Sequence, residues 1–347
     1  MTVRHRSWMI AAVAALMVTL VACGSNPAPN AGGAAEPVTV RLGYFPNVTH
    51  ATALAGIEKG IYADKLGPDT LKVQTFNAGP AAVEALFAEG LDAGYLGPNP
   101  AINAFAKSKG QAIRIISGAT SGGASLVVKP TINQASDLKG KKIASPQLGG
   151  TQDVALRAWL TEHGLKPDTT NGARILPQEN AQSLDTFKSG AIDGAWVPEP
   201  WATRLVQEGG GKVLVDEATL WPNGRFATTQ LVVRTKFLKE HPATVKRLLE
   251  AQVAANDFVN SNGPEAQRLA NQGIERLTGK KLSEGLLSAS WDKLTFTNDP
   301  IASSLTKSAR DAEEVGLLKP VDLKSIYDLS ILDGVLQAAG QPAVTAA

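Results

Sequence analysis

The sequence predicts an α/β protein made of two α/β lobes joined by a two-strand hinge. Three observations point to it. Short apolar runs alternate with helical patterns from residue 38 onward, the alternation restarts after residue 130, and stretches of local sequence recur between the two sets. With 347 residues, 44% of them hydrophobic and 19% charged, the chain has enough material for two buried cores. A formal net charge of +2 shows no nucleic-acid footprint, and a mean hydropathy of −0.05 excludes a multi-span membrane protein.

The first set runs strand 38–43, helix 52–65 closed by Gly67-Pro68, strand 71–76, and helix 80–89 opened by Pro80. Strand 92–96, helix 100–107 and strand 113–117 follow. The second set runs strand 142–144, a Gly149-Gly150 turn, helix 151–163, a strand at Ile175, helix 180–189, strand 193–197, helix 200–208 and strand 213–215. Residues 90–100 (GLDAGYLGPNP) match 190–200 (GAIDGAWVPEP) with the spacing shifted by one, and SLVVK at 125–129 matches QLVVR at 230–234. Lying on either side of the second set, the latter pair suits a hinge. Beyond residue 236 the pattern is helical, over stretches reaching about residue 260 and then 264–278, 283–292, 300–316 and 322–338. No sheet partner is evident there, so these helices are expected around the first lobe.

At the N-terminus, Arg4 and Arg6 precede an apolar run over 8–22, too short to span a ~30 Å hydrocarbon core as a helix. The run ends at Leu20-Val21-Ala22-Cys23, which resembles the lipobox of bacterial lipoproteins. It implies a signal peptide over 1–22, lipidation of Cys23 and a mature chain held outside the cytoplasmic membrane. Residues 23–37 read as a flexible tether, rich in Pro, Gly, Asn and Ala. Removing Arg4 and Arg6 leaves 32 Lys+Arg against 32 Asp+Glu, so the mature chain is formally neutral.

Catalysis is not indicated. The chain lacks a G-x-S-x-G elbow, and Gly209-Gly210-Gly211-Lys212 is followed by an apolar strand rather than by the Ser/Thr and helix of a phosphate loop. The single Cys excludes a disulfide framework, and His50, His163 and His241 are too scattered for a metal site. Neither cofactor nor metal is expected. Asp92 and Asp193 read as turn or strand-start residues rather than as a catalytic pair.

Five loops at expected strand ends share a binding composition: residues 44–50, 77–80, 97–100, 120–123 and 147–152. Each carries Gly, Ser, Thr or Asn, and most open a helix. There, free N–H groups and the helix dipole favour an anion, and in open α/β sheets ligands bind at this edge. Trp196 and Trp201 bracket Glu199 and could hold an alkyl or cationic group.

In order along the chain, RLGYFPNVTH at 41–50, FNAGP at 76–80, residues 92–100, DLKGKKIA at 137–144, residues 190–201 and residues 231–242 resemble the nitrate/taurine/aliphatic-sulfonate family of ABC-transporter substrate-binding proteins, with aliphatic-sulfonate binders the nearest match. The resemblance covers roughly residues 38–300. It implies a periplasmic-binding-protein type II fold, with lobe 1 from 38–124 plus 231–347 and lobe 2 from 130–229. It also implies a monomer that passes a small anionic or zwitterionic ligand, an aliphatic sulfonate or taurine, to a permease and ATPase.

The family's ligand loops fall on Asn47, Thr49, His50, Asn77, Gly79, Gly97, Pro98, Asn99, Thr120, Ser121, Gly150, Thr151, Gln152, Trp196 and Glu199. Nitrate binders place a basic residue in the cleft, for which Arg225 is the nearest candidate. A thiamine-precursor pyrimidine or nitrate as ligand, or an enzyme on the same fold, are the alternatives.

Overall fold

The first sheet begins with three parallel strands, β1 (Thr39–Tyr44), β2 (Thr70–Thr75) and β3 (Ala93–Leu96), joined through α1 (Ala51–Glu58), α2 (Ile61–Leu66) and α3 (Gly79–Phe87). The structure is a computed structural model and describes residues 36–345. The signal expected at 1–22, Cys23 and all but the last two tether residues lie outside the described residues. After β3, α4 (Pro98–Lys107) carries two prolines in its first turn, where the missing N–H costs nothing, and leads into β4 (Ile113–Gly122).

The chain then crosses to a second sheet at Gly122-Gly123, whose φ values of 83° and 74° are open to glycine and strained for other residues. The second sheet comprises β5 (Ala124–Val128), β6 (Lys142–Ser145), β7 (Arg174–Pro177), β8 (Gly194–Pro198) and β9 (Lys212–Asp216). Between them lie α5 (Thr151–Glu162), α6 (Asn180–Lys188) and α7 (Trp201–Gln207). Residues 217–226 return the chain to the first sheet as β10 (Ala227–Arg234). Six more elements follow: α8 (Thr235–Glu240), α9 (Pro242–Ser261), α10 (Gly263–Thr278), α11 (Glu284–Trp291), β11 (Leu294–Phe296) and α12 (Ala302–Glu314). The last helix is α13 (Ser330–Ala338).

Both sheets follow one plan. The first is ordered β2-β1-β3-β10-β4-β11 and the second β7-β6-β8-β5-β9. In each, three parallel strands are followed by one antiparallel strand that has crossed over from the other half, β10 in the first and β5 in the second. The two Leu-Val-Val segments are therefore equivalent strands in different sheets, paired to β3/β4 and to β8/β9 rather than to each other. The strand boundaries also differ from the expected lobe limits: β5 joins the second sheet from Ala124, and β10 joins the first from Ala227.

Helices cover both faces of each sheet, so the central strands are buried along their length; every residue of β3, β8 and β10 is buried, including Thr228, Thr229, Gln230 and Arg234 of β10. One face of the first sheet packs on α1, α2, α9, α10 and α13 through Leu54, Tyr62, Leu248, Ile274 and Leu332. Its other face meets α3, α4 and α12 through Leu86, Phe105 and Leu305. In the second sheet Trp196 packs with Leu156 and Trp159 of α5, while Ala195 and Val197 face Phe187 of α6 and Leu205 of α7. Burying each such large side chain contributes about 1.5–3 kcal/mol.

Asp92 and Asp193 are equivalent in position and role. Each carboxylate accepts the backbone N–H of a neighbouring strand, from Arg41 at 3.0 Å and from Lys142 at 2.8 Å. Asp92 is further held by the guanidinium groups of Arg41 and Arg234, which keep its carboxyl below the usual range against the opposing effect of burial.

Three expected elements differ. The helix expected over 52–65 breaks at Gly60 into α1 and α2. The C-terminal region does contribute to a sheet: β11 pairs antiparallel to β4, a three-residue strand too short to leave a periodic signal. The helix expected over 322–338 begins only at Ser330, because residues 326–328 run alongside β4, bonding to it through Ile115 and its bridge to Tyr327.

Candidate functional site

The carboxyl ends of β1, β2, β3, β6, β7 and β8 and the start of β10 meet around a cavity of about 30 Å³ between the two sheets. Nine of the residues singled out from sequence line it: Asn47, Thr49, His50, Asn77, Gly79, Gly97, Gly150, Thr151 and Gln152. Phe45, Ala78, Pro100, Pro146, Asn180, Pro198, Thr228 and Thr229 complete the lining. None of these residues is Asp, Glu, Lys or Arg.

Four helices begin at this wall, α3 at Gly79, α4 at Pro98, α5 at Thr151 and α6 at Asn180, and no N-cap side chain bonds to any of their first turns. Each presents the positive end of its dipole. The α3 and α5 helices add unpaired first-turn N–H groups, whereas prolines at 98 and 100 leave α4 only the Asn99 N–H in its first turn, and the first N–H of α6, that of Asn180, donates to Asn77 Oδ1. The α5 turn is held from behind: Asp153 accepts from Gly149 N at 3.0 Å and from Ser145 Oγ at 2.8 Å, and is paired with Arg157 at 3.0 Å. That ties the Gly149-Gly150 loop in place with the α5 N-terminus facing the cavity.

Neutral donors supplement the helices. His50 is buried, and burial pushes its imidazole down to about 3, so it is uncharged at neutral pH. Phe45 N donates to its Nδ1 at 3.4 Å, which leaves the ring proton on Nε2. Thr151 Oγ1 and Asn180 Oδ1 are buried and have no hydrogen-bond partner.

The halves touch around the cavity. Asn77 Nδ2 donates to Pro146 O and Asn77 Oδ1 accepts from Asn180 N, both at 3.3 Å; Trp201 Nε1 donates to Asn47 Oδ1 at 2.9 Å. Gly97 approaches α5 so closely that a Cβ there would sit 2.2 Å from Thr151 Oγ1.

The other sequence-selected residues lie elsewhere. Pro98 and Asn99 open α4, and Asn99 Nδ2 donates to Ser308 O at 2.9 Å, away from the cavity. Thr120 Oγ1 donates to Thr49 O at 2.7 Å, fixing the 48–50 turn, and Ser121 Oγ accepts from Phe226 N at 3.3 Å. Trp196 is fully buried in the second core, its Nε1 donating to Glu217 Oε2 at 2.8 Å. Glu199 is also fully buried, paired with Lys293 at 2.7 Å and accepting from Thr203 N at 3.1 Å. Arg225 is exposed and paired with Asp299 at 3.0 Å.

Sequence reasoning missed Asn180 and the Thr228-Thr229 pair. Asn180 had a signal, a polar residue opening a helix after β7. The threonines did not, because only the sheet order brings the start of β10 to the cavity. Among the described residues no cluster of three metal-ligating side chains occurs, and no helix is long and apolar enough to cross a membrane.

The profile of the NMT1-like family matches residues 33–274, and the chain belongs to that family. A Brucella abortus (strain 2308) protein whose name describes it as a binding protein is 30% identical over 262 residues, which is 72% of this chain and 78% of the relative. The taurine-binding periplasmic protein of Escherichia coli (strain K12) is 30% identical over 208 residues, 60% of this chain and 63% of that protein. Among solved structures, the alkanesulfonate-binding protein of Xanthomonas axonopodis pv. citri, bound to MOPS, superimposes with a TM-score of 0.69 at 18% identity, covering 83% of this chain and 96% of that one. The fold is that of the periplasmic binding proteins.

Proposed function

We propose that this member of the NMT1-like family is the extracytoplasmic receptor of an ABC importer, and that it holds a small sulfonate-like anion, an aliphatic sulfonate or taurine, between its two halves. One observation carries the reading: four uncapped helix N-termini surround a cavity lined only by uncharged residues. Main-chain N–H groups and the Thr151 hydroxyl would meet the oxyanion, and the helix dipoles would offset its charge without a basic side chain. Nine of the ligand positions carried over from the family resemblance line this cavity, and the remaining six serve packing, turns or internal ion pairs.

The relatives named as binding proteins support a receptor rather than an enzyme, since the cavity holds neither a nucleophile with its base nor a charged acid–base pair. In this reading the two expected lobes, with their limits moved so that β5 (Ala124–Val128) belongs to the second and β10 (Ala227–Arg234) to the first, open and close about the crossings at 122–123 and 217–226. The receptor is a monomer, anchored through lipid on Cys23, and it releases the ligand unchanged to a permease and its ATPase. An uncharged lining rich in N–H and O–H donors favours an oxyanion over a pyrimidine ring, and it makes nitrate the second reading.

A thermal-shift screen of ethanesulfonate, taurine, nitrate and aminopyrimidines tests the proposal. The largest stabilisation is expected from a sulfonate, through preferential binding to the folded state. A response to pyrimidines alone would overturn it.

A further inference from the structure

The polar groups of the cavity are unevenly spent. Asn47 Oδ1 accepts from Trp201, Asn77 Oδ1 from Asn180 N and Pro146 O from Asn77 Nδ2. Thr229 Oγ1 donates to Thr49 O, and Thr228 Oγ1 to Gly122 O. What remains is rich in donors: first-turn N–H groups, the Thr151 hydroxyl and the His50 Nε2 proton. One acceptor stands apart. Asn180 is 2% exposed, its own N–H is engaged with Asn77, and its Oδ1 has no partner.

A buried acceptor left unpaired costs free energy that only a donor can recover. A bare oxyanion such as nitrate or an alkanesulfonate brings none, and its oxygens would oppose Asn180 Oδ1 unless the amide turned its Nδ2 inward. A ligand with an N–H or O–H a few bonds from its oxyanion would satisfy the donors and this acceptor together.

We propose that Asn180 is the specificity-determining residue of the cavity, accepting a hydrogen bond from the ligand, so that the preferred ligand is a small oxyanion that also carries an ammonium or hydroxyl group. The inference rests on the oxyanion reading above and narrows it. Sites that read a donor discriminate strongly against analogues lacking it, because the acceptor is then stranded.

Calorimetric titration with three probes of similar size tests it: taurine, isethionate and propane-1-sulfonate, which place an ammonium, a hydroxyl and a methyl at the same position. The wild-type chain should bind taurine and isethionate at least about tenfold more tightly than propane-1-sulfonate. Asn180→Leu should bring the three affinities together, mainly by weakening the first two. Asn180→Ala, which also removes the acceptor but adds no bulk, should likewise bring the three affinities together, and it stands in as the readout should the leucine variant fail to fold. Equal wild-type affinities, or a preference that survives Asn180→Leu, would overturn the role of Asn180 and leave the oxyanion reading intact. Failure of all three probes to bind would overturn both.

Discussion

The turns that follow β3 and β8 occupy equivalent places in two sheets of the same order, yet they treat the helix beyond them in opposite ways. After β8, Glu199 folds back onto α7 and accepts from Thr203 N, and Lys293 neutralises it from the first half of the chain. That helix start already has its own anion. After β3 the corresponding turn is Gly97-Pro98-Asn99-Pro100, with no carboxylate and no cap, and it opens on the cavity. One copy of the plan is internally satisfied and the other leaves its helix start without a carboxylate at the cavity, which is why Glu199, prominent in sequence, does not line it. The same contrast runs through Trp196: an aromatic suited to stacking is spent on the second core and on Glu217.

The sharpest way to break the contrast is at Gly97. Gly97→Val would force side-chain atoms into Thr151 and hold the halves apart. Overpacking of this kind costs about 1–3 kcal/mol or more, and calorimetry should show affinity for the ligand reduced roughly 100-fold, with the far-UV circular dichroism unchanged. Wild-type affinity would mean that the close approach of α4 and α5 is not needed.

Next in size is Glu217, whose burial raises its carboxyl to about 7. A carboxyl raised on folding contributes stability that is complete below its unfolded value near 4.5 and is lost as pH rises through about 7. Glu217→Gln should therefore match the wild type in denaturant unfolding near pH 4.5 and exceed it above pH 8, by on the order of 2–3 kcal/mol. His50 contributes the opposite trend in both proteins: with its imidazole lowered to about 3, stability falls as pH drops below about 6.5, so the difference between the two proteins isolates Glu217.

A smaller effect is expected at Glu199. Glu199→Gln removes the partner of Lys293 and should lower stability by about 1–2 kcal/mol, measured as a reduced melting temperature, while leaving ligand affinity within twofold. A large affinity change would return Glu199 to the ligand. The smallest effect is optical: ligand should shift the fluorescence of Trp201, which touches Asn47 at the cavity, and Trp201→Phe should remove most of that signal with only a minor change in affinity.

Local features of the fold were legible in the sequence because they are written in contiguous residues. The alternation of strands and helices, the repeat of 90–100 at 190–200 and the Gly-rich turns before α3, α4 and α5 all have short-range causes. What depended on distant partners was not legible. The placing of β10 between β3 and β4, which brings Thr228 and Thr229 to the cavity, is a property of the sheet. The pairing of Glu199 with Lys293 spans 94 residues, and Asn99 bonds to a carbonyl 209 residues away. Similar Pro-x-Pro sequence at two turns therefore concealed unequal roles.

The claim beneath all of this is that an oxyanion is gripped by helix N-termini and an uncharged hydroxyl. Thr151→Val, nearly isosteric and lacking only the unpartnered Oγ1, tests it most directly by calorimetric titration with taurine. Loss of a charge-assisted hydrogen bond predicts affinity lower by roughly 10–100-fold at an unchanged melting temperature. An affinity equal to that of the wild type would contradict it.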